Sequence, residues 1–173
     1  MRRTFIFVLA ITFSWLLGAH TIWAQQKGND KEHAELAKAL KGVKTSLEKG
    51  LAASESQGKP ISGKFEVEDG KLQLSVYTMK GDKFSEVIVD HKTGKIAKAE
   101  AITGGDDLTA AKAQSGAMAK AKLSLSGATE KAVKANNGYR AVSVTPSLKD
   151  GHPVAEVTLV KGAEFKTASE KLD

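Results

Sequence analysis

Lys64-Phe65-Glu66-Val67-Glu68, then Asp69-Gly70, then Lys71-Leu72-Gln73-Leu74-Ser75-Val76-Tyr77-Thr78-Met79 is the stretch whose reading decides the fold. Phe65 and Val67 share one side of an alternating segment, and Leu72, Leu74 and Val76 share one side of the next, which is the period of two of half-buried strands. Asp69-Gly70 between them fits a two-residue hairpin turn, in which both central residues need positive φ. Outward from this hairpin, Lys80-Gly81-Asp82 is a second tight turn and Phe84 to Val89 a third strand. Asp90-His91-Lys92-Thr93-Gly94-Lys95 closes that strand, with the Asp90 side chain bonding the backbone ahead and Gly94 taking the left-handed conformation. Upstream, Leu36, Leu40, Val43, Leu47 and Leu51 recur in steps of three and four, one apolar helical stripe starting near Asp30 to His33. Gly42 marks a break within it, and Ser54 to Gly58 with Pro60 end it. The expectation is a helix packed on a three-stranded meander.

The second half has a similar grammar. Thr103 to Asp107 reads as a linker, with Asp106-Asp107 as helix-capping residues. An Ala-rich helix follows from Leu108 to Lys122, Ser124 to Gly127 interrupts it, and a further helical stretch runs from Ala128 to about Ala135 before Asn137-Gly138. Strands are expected at Tyr139–Thr145, Pro153–Val160 and Glu164–Ala168. Asp69 and Asp150, Val76 and Val157, and Phe84 and Phe165 are each separated by the same 81 positions (150 − 69). A shared register of turn, core Val, turn and core Phe suggests duplication of one unit. The expected class is α+β, two helix-plus-antiparallel-meander units in tandem, over 32–103 and 104–173. The second is degenerate, with an insert around Pro146-Ser147-Leu148.

The N-terminal segment reads as an export signal over 1–24, with Arg2 and Arg3, an apolar run from Phe5 to Leu17, and Ala24 at the cut. Its apolar run is shorter than the roughly 20 residues of a comfortable membrane span. Residues 25–31 are expected to be a flexible lead-in. Setting aside Arg2 and Arg3 leaves 24 basic residues (26 − 2) against 20 acidic ones, and Arg140 as the sole remaining Arg. Interleaved Lys of this kind is a solvated surface and argues against nucleic-acid binding, where clustered Arg with aromatics is usual. The chain has no Cys, which excludes disulfides, thiolate metal sites and thiol nucleophiles. These features place it in a bacterial periplasm or exterior, standing on packing alone.

Gly63 to Lys71, Leu74-Ser75-Val76-Tyr77, and Phe84 through Val89 to Asp90-His91-Lys92-Thr93-Gly94-Lys95-Ile96 together resemble the PepSY domain. Members of that family end a strand with an aspartate, two variable residues, Thr-Gly and a basic residue, which Asp90, Thr93, Gly94 and Lys95 match. The resemblance implies an extracytoplasmic module that binds proteins, including a restraining role toward peptidases, and it brings no catalytic residues.

The residues themselves offer no assembled chemistry. His33, His91 and His152 sit on separate elements, without the close pair that announces a zinc site. No serine lies in a Gly-x-Ser-x-Gly elbow. Glu66 and Glu68, opposite Phe65 and Val67, read as a solvated face. The small residues of Gln114-Ser115-Gly116 read as a packing spot. A free meander edge could accept a peptide as an added strand, unless the two units cover each other's edges or Lys guards them. The reading is therefore a non-catalytic exported binding module of the peptidase-modulator or protein-interaction kind, with no cofactor or metal and another exported protein or peptidase as partner. Tyr77, Phe84, Asp90, Thr93 and Lys95 are its interaction or structural-turn residues. The alternative is a periplasmic binder of a small ligand or ion.

Overall fold

The computed structural model describes residues 22–173, with side chains from 31 onward. Residues 1–21, which hold most of the expected signal, lie outside the described residues. The Asp69-Gly70 turn forms as the sequence dictates, with φ of 49° and 74°, and joins β1 (Lys59–Glu68) to β2 (Lys71–Lys80). β3 (Lys83–Val89) and β4 (Ile96–Ile102) continue the meander. Asp150-Gly151 repeats the same turn, with φ of 52° and 81°, between β5 (Arg140–Lys149) and β6 (His152–Lys161), and β7 (Glu164–Lys171) follows. The helices are α1 (Ile22–Ala39), continued by a 3₁₀ turn at Leu40–Gly42, then α2 (Leu47–Ser54), α3 (Gly105–Lys120) and α4 (Leu125–Ala135).

All seven strands make one antiparallel sheet, ordered β4-β3-β2-β1-β5-β6-β7. The class is α+β, as the patterning required. The two meanders join through β1 and β5, whose pairing is confined to Gly63↔Val144 and Lys64↔Ser143. The 81-position spacing carries through the registers. Ser62 pairs with Tyr77 and Ser143 with Thr158; the ladders shift between Pro60 and Ser62 and again between Ala141 and Ser143. Val76↔Val87 is matched by Val157↔Ala168. Gly63 thus faces Val144, the residue 81 positions further on, and Lys64 faces Ser143 beside it.

The helices form two layers. Directly paired residues share a face, so Gly63, Phe65, Leu74 and Val76 point one way. α2 lies on that side, and a Cβ on Gly63 would come 3.1 Å from Leu51 Cδ2. α4 lies on the same side over the other meander, where Lys131 bonds Glu170 at 2.8 Å. Ser62 and Tyr77 point the opposite way, toward α3, and the Ser62 hydroxyl donates to Gln114 Oε1 at 2.8 Å. Phe165, paired with Val160, is on this second side too, and His33 of α1 stacks on it with ring centroids 4.0 Å apart. The core between sheet and helices is mostly Leu, Val, Ile and Ala, with Leu47, Leu51, Ile61, Leu74, Val76, Val157 and Leu159 fully buried.

Several expectations need correction. The first meander has four strands, not three: Ala97-Lys98-Ala99-Glu100-Ala101 alternates, but its small residues carry little strand propensity, and only an exposed edge position accepts them. Residues 25–31, expected as a lead-in, fall within the span of α1, although Gly28, Asn29 and Asp30 are poor helix formers. There is no insert at Pro146-Ser147-Leu148; β5 runs through them, pairing unbroken from Thr145↔Glu156 to Lys149↔His152. Pro146 lies past the two residues that pair with β1, where a strand tolerates a missing N–H. Asp106 and Asp107 do not cap α3. Gly104 is its N-cap, without a side-chain bond, and the two carboxylates lie in the first turn, where the helix dipole still favours them. The capping side chains belong to Ser46, which accepts from Lys49 N, and Ser124, which accepts from Gly127 N.

Close approach of α2 to the sheet is a condition of this packing. A Cβ on Gly50 would sit 2.6 Å from Leu74 Cδ2, whereas one on Gly116 of α3 would meet nothing within 4 Å. Gly50→Val is expected to destabilise the protein by about 1–3 kcal/mol through overpacking. Gly116→Ala should stabilise it by about 0.5–1 kcal/mol through helix propensity. Urea denaturation of the two variants checks both signs.

Candidate functional site

The sequence-selected residues divide into two groups. Asp90, Thr93 and Lys95 form the turn between β3 and β4. Asp90 Oδ1 accepts from Thr93 N at 2.7 Å and Lys92 N at 2.9 Å, and Asp90 N donates to Lys95 O at 2.8 Å. Those N–H groups, Thr93's foremost, hold the Asp90 carboxyl below its usual range. The same turn receives the chain entering α2, since Lys44 N and Thr45 N both donate to His91 O at 3.0 Å. A Cβ on Gly94 would come 3.3 Å from Thr45 Oγ1. The Asp-x-x-Thr-Gly-Lys stretch therefore acts as a socket for α2.

Tyr77 and Phe84 are buried on the side that faces α3, and the structure brings neither near the Asp90 turn as a shared surface. Around Tyr77 lies a polar cluster that replaces the solvated face expected at Glu66. α3 crosses this side of the sheet, so Glu66 is three-quarters covered; it pairs with Lys64 Nζ at 2.7 Å and accepts from the Ser75 hydroxyl at 2.9 Å. The Tyr77 hydroxyl donates to Glu86 Oε1 at 3.4 Å. Burial, and then the nearby Glu86, Glu66 and Asp107 carboxylates, push the Tyr77 phenol well above its usual range, so it is a neutral donor. Burial likewise raises Glu86, with the Ser75 hydroxyl and Lys64 opposing and Glu66 and Asp107 adding to the rise. Asp107 is raised for the same first reason, and its Oδ1 is buried without a hydrogen-bond partner. The cavity bounded by Tyr77, Asp107, Ala110, Ala111 and Gln114 is only about 10 Å³, room for roughly one water.

The histidines stay apart in role. His33 stacks on Phe165, His91 serves the turn through its carbonyl, and His152 Nδ1 lies 2.7 Å from Asp173 Oδ2. Among the described residues, no group of three or more His, Asp or Glu side chains could hold a metal ion. No helix of the described residues is long and apolar enough to cross a membrane.

A groove that sequence reasoning did not find lies between α1 and the β6–β7 end of the sheet. It measures about 490 Å³ and is lined by Ala34, Ala37, Leu40, Val160 and Ala163, with Lys38, Lys41 and Arg140 also on its walls. Arg140 is half-buried; its guanidinium stands 5.6 Å from the Phe65 ring centroid, and Nη1 donates to Leu40 O at 3.5 Å. Burial lowers its pKa, with Glu48 opposing, and it stays charged at any physiological pH. The one available signal was Arg140 itself, a lone Arg in a Lys-rich chain.

Glu86 supplies a pH test of the polar cluster. Its pKa is raised in the folded state, so the native protein holds an extra proton between the unfolded value and the folded one, and stability falls as pH rises through that window. Glu86→Gln should raise the melting temperature at pH 7 and leave a smaller difference at pH 4, as read by thermal denaturation. An identical pH dependence in both proteins would remove Glu86 from this role.

Among known proteins, no family model, no curated protein and no solved structure matches the chain.

Proposed function

We propose that the chain is an exported, non-catalytic binding module, and that the groove between α1 and the β6–β7 end receives a segment of a partner protein. The observation that carries this reading is the apolar floor set among three cations. Such a site favours an acidic, apolar segment, because Lys38, Lys41 and Arg140 offer charge while Ala37, Leu40 and Val160 offer apolar contact. The likeness of Phe84 to Ile96 to a PepSY ending, and a duplication behind the 81-position register, belong to the same proposal. So does export through the segment 1–24. The absence of catalysis is supported by the employment of Asp90 and Thr93 in a turn, and by the one-water size of the cavity beside Tyr77 and Asp107.

A second reading, a binder of a small apolar carboxylate, is favoured by the groove's volume of about 490 Å³, since small-molecule sites span roughly 300–1,000 Å³.

Calorimetric titration with a short peptide of acidic and leucine residues, and separately with decanoate, distinguishes the two. The peptide should bind, and Ala37→Trp, which fills the groove, should abolish binding. Arg140→Gln should weaken it about tenfold, the loss expected for one charge-assisted hydrogen bond. Binding of decanoate alone would favour the second reading. Peptide binding unchanged in both variants, or no binding of either probe, would sink the groove as the site.

A further inference from the structure

The outer edge of β4 differs from every other strand. Ala97 to Ala101 are all exposed, on both faces, so neither helix layer reaches them. Its inner side pairs with β3 without interruption from Phe84↔Ile102 to Ile88↔Lys98, and after a register shift that skips Ala97 again at Val89↔Ile96, leaving the outer backbone groups to solvent. The opposite edge, β7, has its side chains engaged within the chain. Glu170 bonds Lys131, Lys166 Nζ lies 3.9 Å from the Tyr139 ring centroid, and His33 stacks on Phe165.

The sequence of β4, Ile96-Ala97-Lys98-Ala99-Glu100-Ala101-Ile102, is self-complementary about Ala99. An antiparallel pair of two such strands centred there sets Ala99 opposite Ala99 and Lys98 opposite Glu100 in both directions, and the register shift at Ala97 confines the match to this middle of the strand. Lys98 and Glu100 already bond each other along the strand at 2.7 Å while more than half exposed. A second copy would complete a square of alternating charge. Shifting the register by two residues either way sets Lys98 against Lys98 or Glu100 against Glu100, and like charges directly opposite are destabilising. The alanines add no bulk that would push two sheets apart.

We propose that β4 is a homodimerisation edge, pairing antiparallel with β4 of a second copy about Ala99 to extend the seven-stranded sheet across a two-fold axis. This surface is separate from the groove and does not depend on it.

Sedimentation velocity of the full chain over a concentration series tests the pairing. The parent should show a reversible monomer–dimer equilibrium. Lys98→Glu and Glu100→Lys should each weaken it at least about tenfold, since two opposed pairs change from unlike to like charge. The double variant Lys98→Glu/Glu100→Lys should restore it. An equimolar mixture of the two single variants should form a mixed dimer, which also shows that both are folded. A parent that stays monomeric, or single variants that associate as the parent does, would overturn the proposal.

Discussion

The architecture depends on one short seam. Gly63↔Val144 and Lys64↔Ser143 are the only residues through which β1 and β5 pair, yet they turn two meanders into one sheet. Two-residue pairing is weak, so the seam requires support from above. α2 supplies it by lying close over Gly63, with Leu47 and Leu51 buried there, and α4 does the same on the other half. On the opposite side, α1 and α3 bridge the halves: His33 of α1 reaches Phe165 in β7, and Lys59 of β1 donates to Met118 O of α3 at 3.1 Å. Each half is thereby held by helices as much as by hydrogen-bonded ladders.

This arrangement also explains where the polar groups go. The sheet side facing α2 and α4 is mostly apolar, with Leu74, Val76, Val144 and Val157 fully buried. The side facing α1 and α3 is mixed, and the Ala-rich α3 passes over Ser62, Tyr77 and Glu86 without burying them in hydrocarbon. Ser62 finds Gln114, Glu66 finds Lys64 and Ser75, and Tyr77 reaches Glu86. Of these bonds, Ser62 to Gln114 is the one that reaches α3, and it orients a helix whose own apolar face is small, because a hydrogen bond is directional where alanine contacts are not.

What the sequence disclosed follows the range of the interaction involved. Asp69-Gly70 and Asp150-Gly151 could be read because positive φ at two consecutive residues is a local demand. The α2 stripe could be read because helical periodicity is local too. β4 could not, since an exposed edge strand needs no bulky residue to announce it. Nor could the seam, whose two residue pairs join positions about 80 apart with no motif at the crossing. The groove was hidden for the same reason: Ala37 and Leu40 meet Arg140 and Val160 only after folding, and small apolar residues look like ordinary packing. The Asp90 turn was legible as a turn, but its service to α2 lies in backbone bonds from Lys44 and Thr45, which no side-chain pattern reveals.

The seam also sets the order in which contacts can close. Every other strand pair in the sheet joins neighbours along the chain, through turns as short as Asp69-Gly70. Only β1 with β5 must close a long loop, and loop closure costs chain entropy that a two-residue turn does not. The nascent first half can therefore zip its ladder while β1 still presents a bare flank, which stays open until the second half arrives to seal it.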